Sequence, residues 1–410
     1  MAWAKSFYQP PLIRLAGAYR PRLQRTRFIG ITGSVGKTTT KDLLARVLAD
    51  RSRVVASHLS NNDLYNTART VLGVRPWTPF CVQEVGADGP GSLDAPLSLL
   101  RPDVAVVTTI GLDHYRAFRT RDAVAAEKRK LVEAVGPGGL AVLNADDPHV
   151  ESMAGSCAGR VLRYGHASSA ELRIVSIASP WPQGLTVVLD WRGRQETVHT
   201  ALHGPHFATA VAAALATAVG LGMDFPRACE ALAGAAPVTG RMSLTETPDG
   251  VRWLRDDFKS SLWSVGAAFD YVAACRSGVS RRVIVIGTIA DRSGKSSSAY
   301  AKVLAQAAGC ADDVLVVGEH AHYARPAAAR HSQTRFHGMA TMRHAAAWLG
   351  ENLRSGDLVL LKGGTRDHLA RLLIARQSSV ACWREYCGRP ISCEDCALVA
   401  VAADHDGRPS

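Results

Sequence analysis

Residues 28–40 read Phe28-Ile29-Gly30-Ile31-Thr32-Gly33-Ser34-Val35-Gly36-Lys37-Thr38-Thr39-Thr40: an apolar run, a glycine-punctuated turn and a helix start. This combination suits phosphate binding. Gly33 and Gly36 let the backbone approach phosphate oxygens, and a helix opening at Lys37 aims free N–H groups and the positive end of its dipole at them. Lys37 is expected to reach the terminal phosphates, with a hydroxyl of Thr38 or Thr39 on magnesium. The general phosphate-loop spacing asks for glycine at 31, where this chain has isoleucine, so the match is confined to Gly36-Lys37-Thr38. A glycine turn without a ligand is the competing reading, and three threonines after Gly36-Lys37 weigh against it.

The elements around the loop alternate between strand and helix. Helical periodicity runs from Thr39 to Leu48, Val54-Val55-Ala56 reads as a strand, and Cys81 to Ala87 is another, with Glu84 at its end. Asp103 to Ile110 is a further apolar strand, followed by Gly111-Leu112-Asp113-His114 and by a helix from about Arg121 to Val135 that carries Lys128. Leu140 to Asn144 closes the series ahead of Asp146-Asp147-Pro148. Such alternation predicts an α/β fold with a parallel sheet covered on both faces, where ligands collect at the carboxyl ends of the strands. Glu84, His114 and Lys128 can all lie at that edge. Each has a plainer reading as well: Glu84 as a solvated or capping carboxylate, His114 as a structural histidine, and Lys128, beside Arg129 and Lys130, as one more exposed helix charge.

The order of these motifs resembles the Mur ligase family, which uses ATP to join a carboxylate to an amine. The resemblance rests on Thr32-Gly33-Ser34-Val35-Gly36-Lys37-Thr38-Thr39, Asn61-Asn62, Glu84-Val85-Gly86-Ala87, Thr109 to His114, Lys128 and Asn144 to Asp147. His203-Gly204-Pro205-His206, Gly240-Arg241-Met242, Asp256-Asp257-Phe258 and Leu361-Lys362-Gly363-Gly364 continue it, so that it covers about residues 28–375 and is nearest the D-alanyl-D-alanine-adding branch. The resemblance implies an ATP-dependent ligase working through an acyl phosphate and releasing ADP and phosphate. By the same resemblance Thr32, Gly33, Ser34, Gly36, Lys37, Thr38, Thr39, Arg241 and Asp257 contact ATP. Thr38 holds one magnesium, Glu84 and His114 hold a second, and Lys128 matches a lysine that is carbamylated in many members and then ligates magnesium. This chain departs from the family pattern at Phe207 and Ala210, where asparagines near the adenine are usual, and at Lys259, Ser261 and Leu262 after Asp257-Phe258. Asp291-Arg292-Ser293-Gly294-Lys295 resembles the diamino-acid-adding branch instead, so the amine is left open.

The organisation implied is a basic arm at 1–27, a central ATP-binding domain at 28–237, a Rossmann-like domain at 238–380 and a cysteine-rich tail at 381–410. Val161 to Tyr164, Leu172 to Val175 and Leu185 to Leu189 read as short strands of a small antiparallel subsheet within the central domain, and an alanine-rich helix follows from His206. Val283 to Gly287, Val314 to Gly318 and Leu358 to Leu361 are the strands of the Rossmann-like domain, which in the family closes over ATP. The arm mixes Trp3, Phe7, Tyr8, Leu12, Ile13, Leu15 and Tyr19 with five arginines and reads either as a helix packed on its own domain or as a membrane-surface contact. It is too short to be the sugar-nucleotide domain of typical relatives, which implies an acid substrate other than a uridine diphosphate sugar, paired with an amine or amino acid. A nucleotide-binding partner subunit with a degenerate amine site is the alternative.

Composition narrows the partners. With 410 residues and a formal charge of +12, anionic ligands are favoured, but arginine is spread along the chain rather than clustered with aromatics, so nucleotides or acidic metabolites outrank nucleic acid. No stretch has the length and apolarity of a transmembrane span, and nine cysteines at irregular spacing fit a reducing, cytoplasmic setting. Cys382, Cys387, Cys393 and Cys396 fall within fifteen residues of one another, with common zinc spacing only at Cys393-x-x-Cys396; they read either as zinc ligands or as free thiols.

Overall fold

The structure, a computed structural model, describes residues 2–50, 52–291, 295–385, 389 and 391–400. Arg292, Ser293 and Gly294 of the amine-branch motif, and Cys387 of the tail, lie outside the described residues. The chain forms two compact units: residues 1–178, 185–201 and 205–235 make the first, and residues 179–184, 202–204 and 236–410 the second.

In the first unit nine strands make one sheet in the order β2-β3-β1-β4-β5-β6-β7-β8-β9. They are β1 (Arg27–Thr32), β2 (Val54–Ala56), β3 (Phe80–Glu84), β4 (Val104–Val107), β5 (Leu140–Asn144), β6 (Arg160–Gly165), β7 (Leu172–Ala178), β8 (Thr186–Trp191) and β9 (Arg194–His199). The strands from β2 to β7 pair in parallel, and β7, β8 and β9 pair antiparallel. Pattern and pairing agree physically. β4 and β5 are buried at every position, as strands covered on both faces must be, whereas β7 and β9 alternate because one face meets water. Val161 to Tyr164, grouped by its turns with the antiparallel strands, instead extends the parallel part as β6 on β5.

Chain order reverses at β1, which lies between β3 and β4, so the loop leaving β1 opens at a switch point where open α/β sheets bind ligands. Behind it the helix Lys37–Ala49 packs on the helix Ala208–Gly220, whose run of buried alanines allows close approach. The basic segment folds onto this same unit. Leu12, Ile13 and Tyr19 pack on its core, the Tyr19 hydroxyl donates to Val74 O at 2.9 Å, and the Arg20 guanidinium lies 3.5 Å from the Phe28 ring centre. Among the described residues no helix is long and apolar enough to cross a membrane.

The second unit is a six-stranded sheet in the order β10-β11-β15-β12-β13-β14. Its strands are β10 (Ser243–Glu246), β11 (Arg252–Asp256), β12 (Arg282–Ile286), β13 (Asp313–Val317), β14 (Arg335–Met339) and β15 (Leu358–Lys362), parallel throughout except at β10. β14 is secured by charge rather than by apolar pattern. Asp313, buried at the start of β13, receives Arg335 Nη2 at 2.6 Å and His337 Nε2 at 2.8 Å from the neighbouring strand. Burial raises the Asp313 carboxyl, but the hydrogen bonds from His337 and Arg335 outweigh it and hold the group at about 2.

A folded pKa below the ordinary 3.8 means that this contribution is fully present above pH 3.8 and is lost as pH falls through about 2. Wild type should therefore shed on the order of 1–2 kcal/mol more stability than Asp313→Asn between those limits, measured as urea midpoints across the acid range. Parallel acid profiles for the two proteins would contradict the assignment.

Candidate active site

The backbone of the loop is fixed by glycine and by the strand beside it. Gly33 sits at φ +142°, and a Cβ there would stand 1.9 Å from Thr108 Oγ1; Gly36, at φ +80°, occupies the left-handed position that starts the helix. Thr108 at the end of β4 grips the loop from the side, its amide donating to Thr32 O at 3.0 Å and its hydroxyl to Val35 O at 2.5 Å. Ser34 N donates to Thr109 O at 2.8 Å, and Gly111 N donates to Ser34 Oγ at 2.8 Å. Lys37 Nζ donates to Gly33 O at 2.7 Å, so its ammonium lies over the loop where phosphates would enter.

Two buried carboxylates flank this loop. Glu84, at the end of β3 and 1% exposed, accepts Thr38 Oγ1 at 2.6 Å on one oxygen and Asn62 Nδ2 at 2.9 Å on the other. Its amide donates to Ser57 Oγ at 3.1 Å, and the buried Lys41 ammonium holds that segment through Ser57 O at 2.7 Å and Leu59 O at 2.8 Å. Asp113 is 2% exposed and accepts Ser34 Oγ at 2.6 Å and Lys128 Nζ at 3.4 Å. Lys128 is fully buried on the helix Arg121–Glu133, which excludes the plain reading of an exposed charge. That helix is itself anchored, because Glu127 accepts the amides of Gly91 at 2.9 Å and Leu93 at 2.8 Å.

The structure thus brings together Thr38 with Glu84, and Ser34 with Lys128 through Asp113. Thr32 turns its hydroxyl to Val85 O at 2.9 Å, and Thr39 is buried in the first turn of the helix. His114 is placed differently: half-buried in a left-handed conformation, it lies 3.6 Å from Asp88 Oδ1. Sequence reasoning gave Asp113 no role; it stood inside a quoted motif, but its burial depends on the helix carrying Lys128, which no local pattern reveals. Asn144 and Asp147 act as braces, with Asn144 Nδ2 donating to Thr108 O at 2.8 Å and Asp147 accepting Ile110 N at 2.6 Å.

A nucleotide with magnesium fits this arrangement. The glycine cradle leaves backbone next to the space above the loop, and the donors nearest it, a hydroxyl and a carboxylate, are the hard oxygens that magnesium prefers. Among the described residues no group of three His, Cys, Asp or Glu side chains is assembled to hold a metal, so protein ligands would supply only part of the coordination, as is usual for magnesium bound with phosphates.

In the second unit Asp257 is buried and held by Arg255, with Nε at 3.2 Å and Nη2 at 3.1 Å; burial pushes its carboxyl up despite that cation. Arg255 Nη1 also meets Glu394 Oε1 at 2.5 Å, which ties the tail to this position. Arg241 stacks its guanidinium 4.4 Å from the Phe258 ring centre, next to the turn at Gly240. Asp367, missed in the sequence, gathers Thr288 N at 2.8 Å, Thr288 Oγ1 at 2.6 Å and Gly364 N at 2.7 Å at the ends of β12 and β15.

Comparison with known proteins places both units. Residues 31–218 match the Mur ligase middle domain and residues 240–365 the Mur ligase glutamate ligase domain. The UDP-N-acetylmuramoyl-tripeptide--D-alanyl-D-alanine ligase of Mycobacterium tuberculosis is 33% identical over 267 residues, covering 64% of this chain and 52% of that protein. The chain thus spans about half the length of the mycobacterial relatives it matches. Among solved structures, MurF from Acinetobacter baumannii superposes with a TM-score of 0.81 at 22% identity over 89% of this chain and 80% of that one. MurF ligase from Thermotoga maritima, in complex with ADP, gives 0.75 at 21% identity over 90% and 83%. These structural likenesses establish the fold.

If Glu84 is a magnesium ligand, Glu84→Gln should fold normally yet need roughly tenfold or more magnesium for half-maximal ATP binding, followed by titration calorimetry at fixed nucleotide. The same magnesium requirement in both proteins would remove Glu84 from the metal site.

Proposed function

The chain belongs to the Mur ligase family, and from that premise we propose that it is an ATP-dependent ligase that joins a carboxylate to an amine through an acyl phosphate. The observation that carries this reading is the Thr38–Glu84 contact of 2.6 Å beside a glycine loop whose lysine already lies over it. Phosphoryl transfer asks little covalent help from a protein and much neutralisation and alignment of charge. Lys37 and the loop amides would bind the terminal phosphates, and Thr38 and Glu84 would hold magnesium. Magnesium there supplies positive charge against the phosphate oxygens.

An oxygen of the acid attacks the γ-phosphorus and ADP departs. The amine then attacks the acyl carbon, loses a proton, and expels phosphate together with that oxygen of the acid. By family resemblance His114, together with Glu84, would contribute to a second magnesium site, Arg241 and Asp257 would contact ATP, and Lys128 matches a lysine that is carbamylated in many members. Its amine at the end of a buried side chain, 3.4 Å from Asp113, is in place either to neutralise that carboxylate or, once carbamylated, to turn an anion toward metal.

Phosphate release should require ATP, an acid and an amine together and yield ADP, and Lys37→Ala should lower kcat/KM by about a hundredfold or more. A panel of substrates should set the acid and amine in the mycobacterial relative's name beside acids free of a uridine nucleotide, with turnover expected for the latter alone. AMP and pyrophosphate as products would refute the mechanism. Tight ATP binding without turnover across the panel would mark a nucleotide-binding subunit instead. Lys128→Ala should be nearly inactive, and partial rescue by short carboxylates would identify the carbamate; unchanged turnover would remove Lys128 from the site.

A further inference from the structure

The tail carries chemistry that the ligase reading does not use. Its described residues pack within the second unit, with Ala381 N donating to Val399 O at 2.9 Å and Arg371 Nη1 donating to Cys382 O at 3.1 Å. Cys393 is buried at the start of a short turn in which Cys396 N donates to Cys393 O at 3.3 Å. Cys382, Cys393 and Cys396 then line one cavity of about 20 Å³, room for a single water-sized occupant, and His368 lines it from the turn after β15. His368 comes from outside the cysteine cluster in sequence, and its Nδ1 lies 3.4 Å from Cys393 Sγ.

We propose that Cys382, Cys393, Cys396 and His368 bind a thiophilic divalent ion of the zinc class. A tetrahedral zinc with sulfur at about 2.3 Å and nitrogen at about 2.0 Å has a sulfur–nitrogen edge of about 3.5 Å, and the Cys393–His368 pair already stands at that spacing. Three thiolates and a dication leave one negative charge, and Arg371 and Arg384 line the same cavity to balance it. Among the described residues no three such side chains yet form a coordination shell, so binding draws the Cys382 and Cys396 thiols onto the pair. Metal binding is accordingly coupled to closure of the tail.

Full-length protein, stripped with a chelator and titrated with cobalt(II) and then zinc, should take up about one ion per chain. Cobalt should give the intense visible bands of a tetrahedral site and the near-ultraviolet charge transfer of thiolate ligation. Since losing even an outer partner of a metal ligand weakens binding about 10–100-fold, Cys393→Ser, Cys396→Ser and His368→Ala should each weaken zinc by at least about tenfold. Should a variant fail to fold, alkylation of the wild type decides: zinc should protect Cys382, Cys393 and Cys396 from iodoacetamide, read by peptide mass spectrometry. Absence of uptake, or equal alkylation with and without zinc, would overturn the proposal. Zinc retained in His368→Ala but lost in Cys387→Ser would overturn the ligand set in favour of thiolates alone.

Discussion

Glu84 and Asp113 place two carboxylates almost wholly out of water at the edge of an otherwise apolar sheet, and the geometry of the loop between them follows from compensating both. An uncompensated buried carboxylate costs several kcal/mol, so each must be met by donors from nearby elements. Thr38 and Asn62 meet Glu84, and Ser34 and Lys128 meet Asp113. Ser34 and Thr38 stand on either side of Lys37, so the same bonds that satisfy the carboxylates clamp the phosphate loop at both ends. β3 delivers one clamp and β4 the other, with β1 between them. A sheet of another strand order would separate these groups.

The second unit uses similar means at its own sheet edge. Arg255 and Asp257 are buried together, Lys362 Nζ meets Asp256 Oδ2 at 2.5 Å, and Asp367 collects three donors from the ends of two strands. The tail enters this arrangement through Glu394 on Arg255, next to the turn that carries Cys393 and Cys396. A chain segment that local pattern marks only as cysteine-rich is thereby tied to a position that the family reading assigns to ATP.

Much of the first unit was legible in the sequence because burial on both faces forces continuous apolar strands. Phe28 to Thr32, Val104 to Val107 and Leu140 to Asn144 announce themselves that way, and the glycines of the loop mark its turn. β10, β11 and β14 were not legible, since Ser243–Glu246, Arg252–Asp256 and Arg335–Met339 mix polar and charged residues and gain their place from pairing and from ion pairs such as Asp313–Arg335. The turns around β6 resemble those of a hairpin and point to antiparallel pairing, whereas its parallel partner is set by the crossover before it. In the site, residue types at the loop were readable, but Asp113, Asp367 and the pairing of His368 with Cys393 arise from segments brought together only by folding.

The proposed ligation depends on transfer of phosphate to the acid itself, and the fate of one oxygen atom reports it. With the carboxylate of a substrate acid labelled with oxygen-18 and the amine present, an acyl phosphate sends one labelled oxygen into the released phosphate, measured by mass spectrometry or by the isotope shift in phosphorus NMR. Label in phosphate, with unlabelled ADP, is the predicted result. Label in AMP, or full retention of both labelled oxygens in the acid and its products, would contradict it.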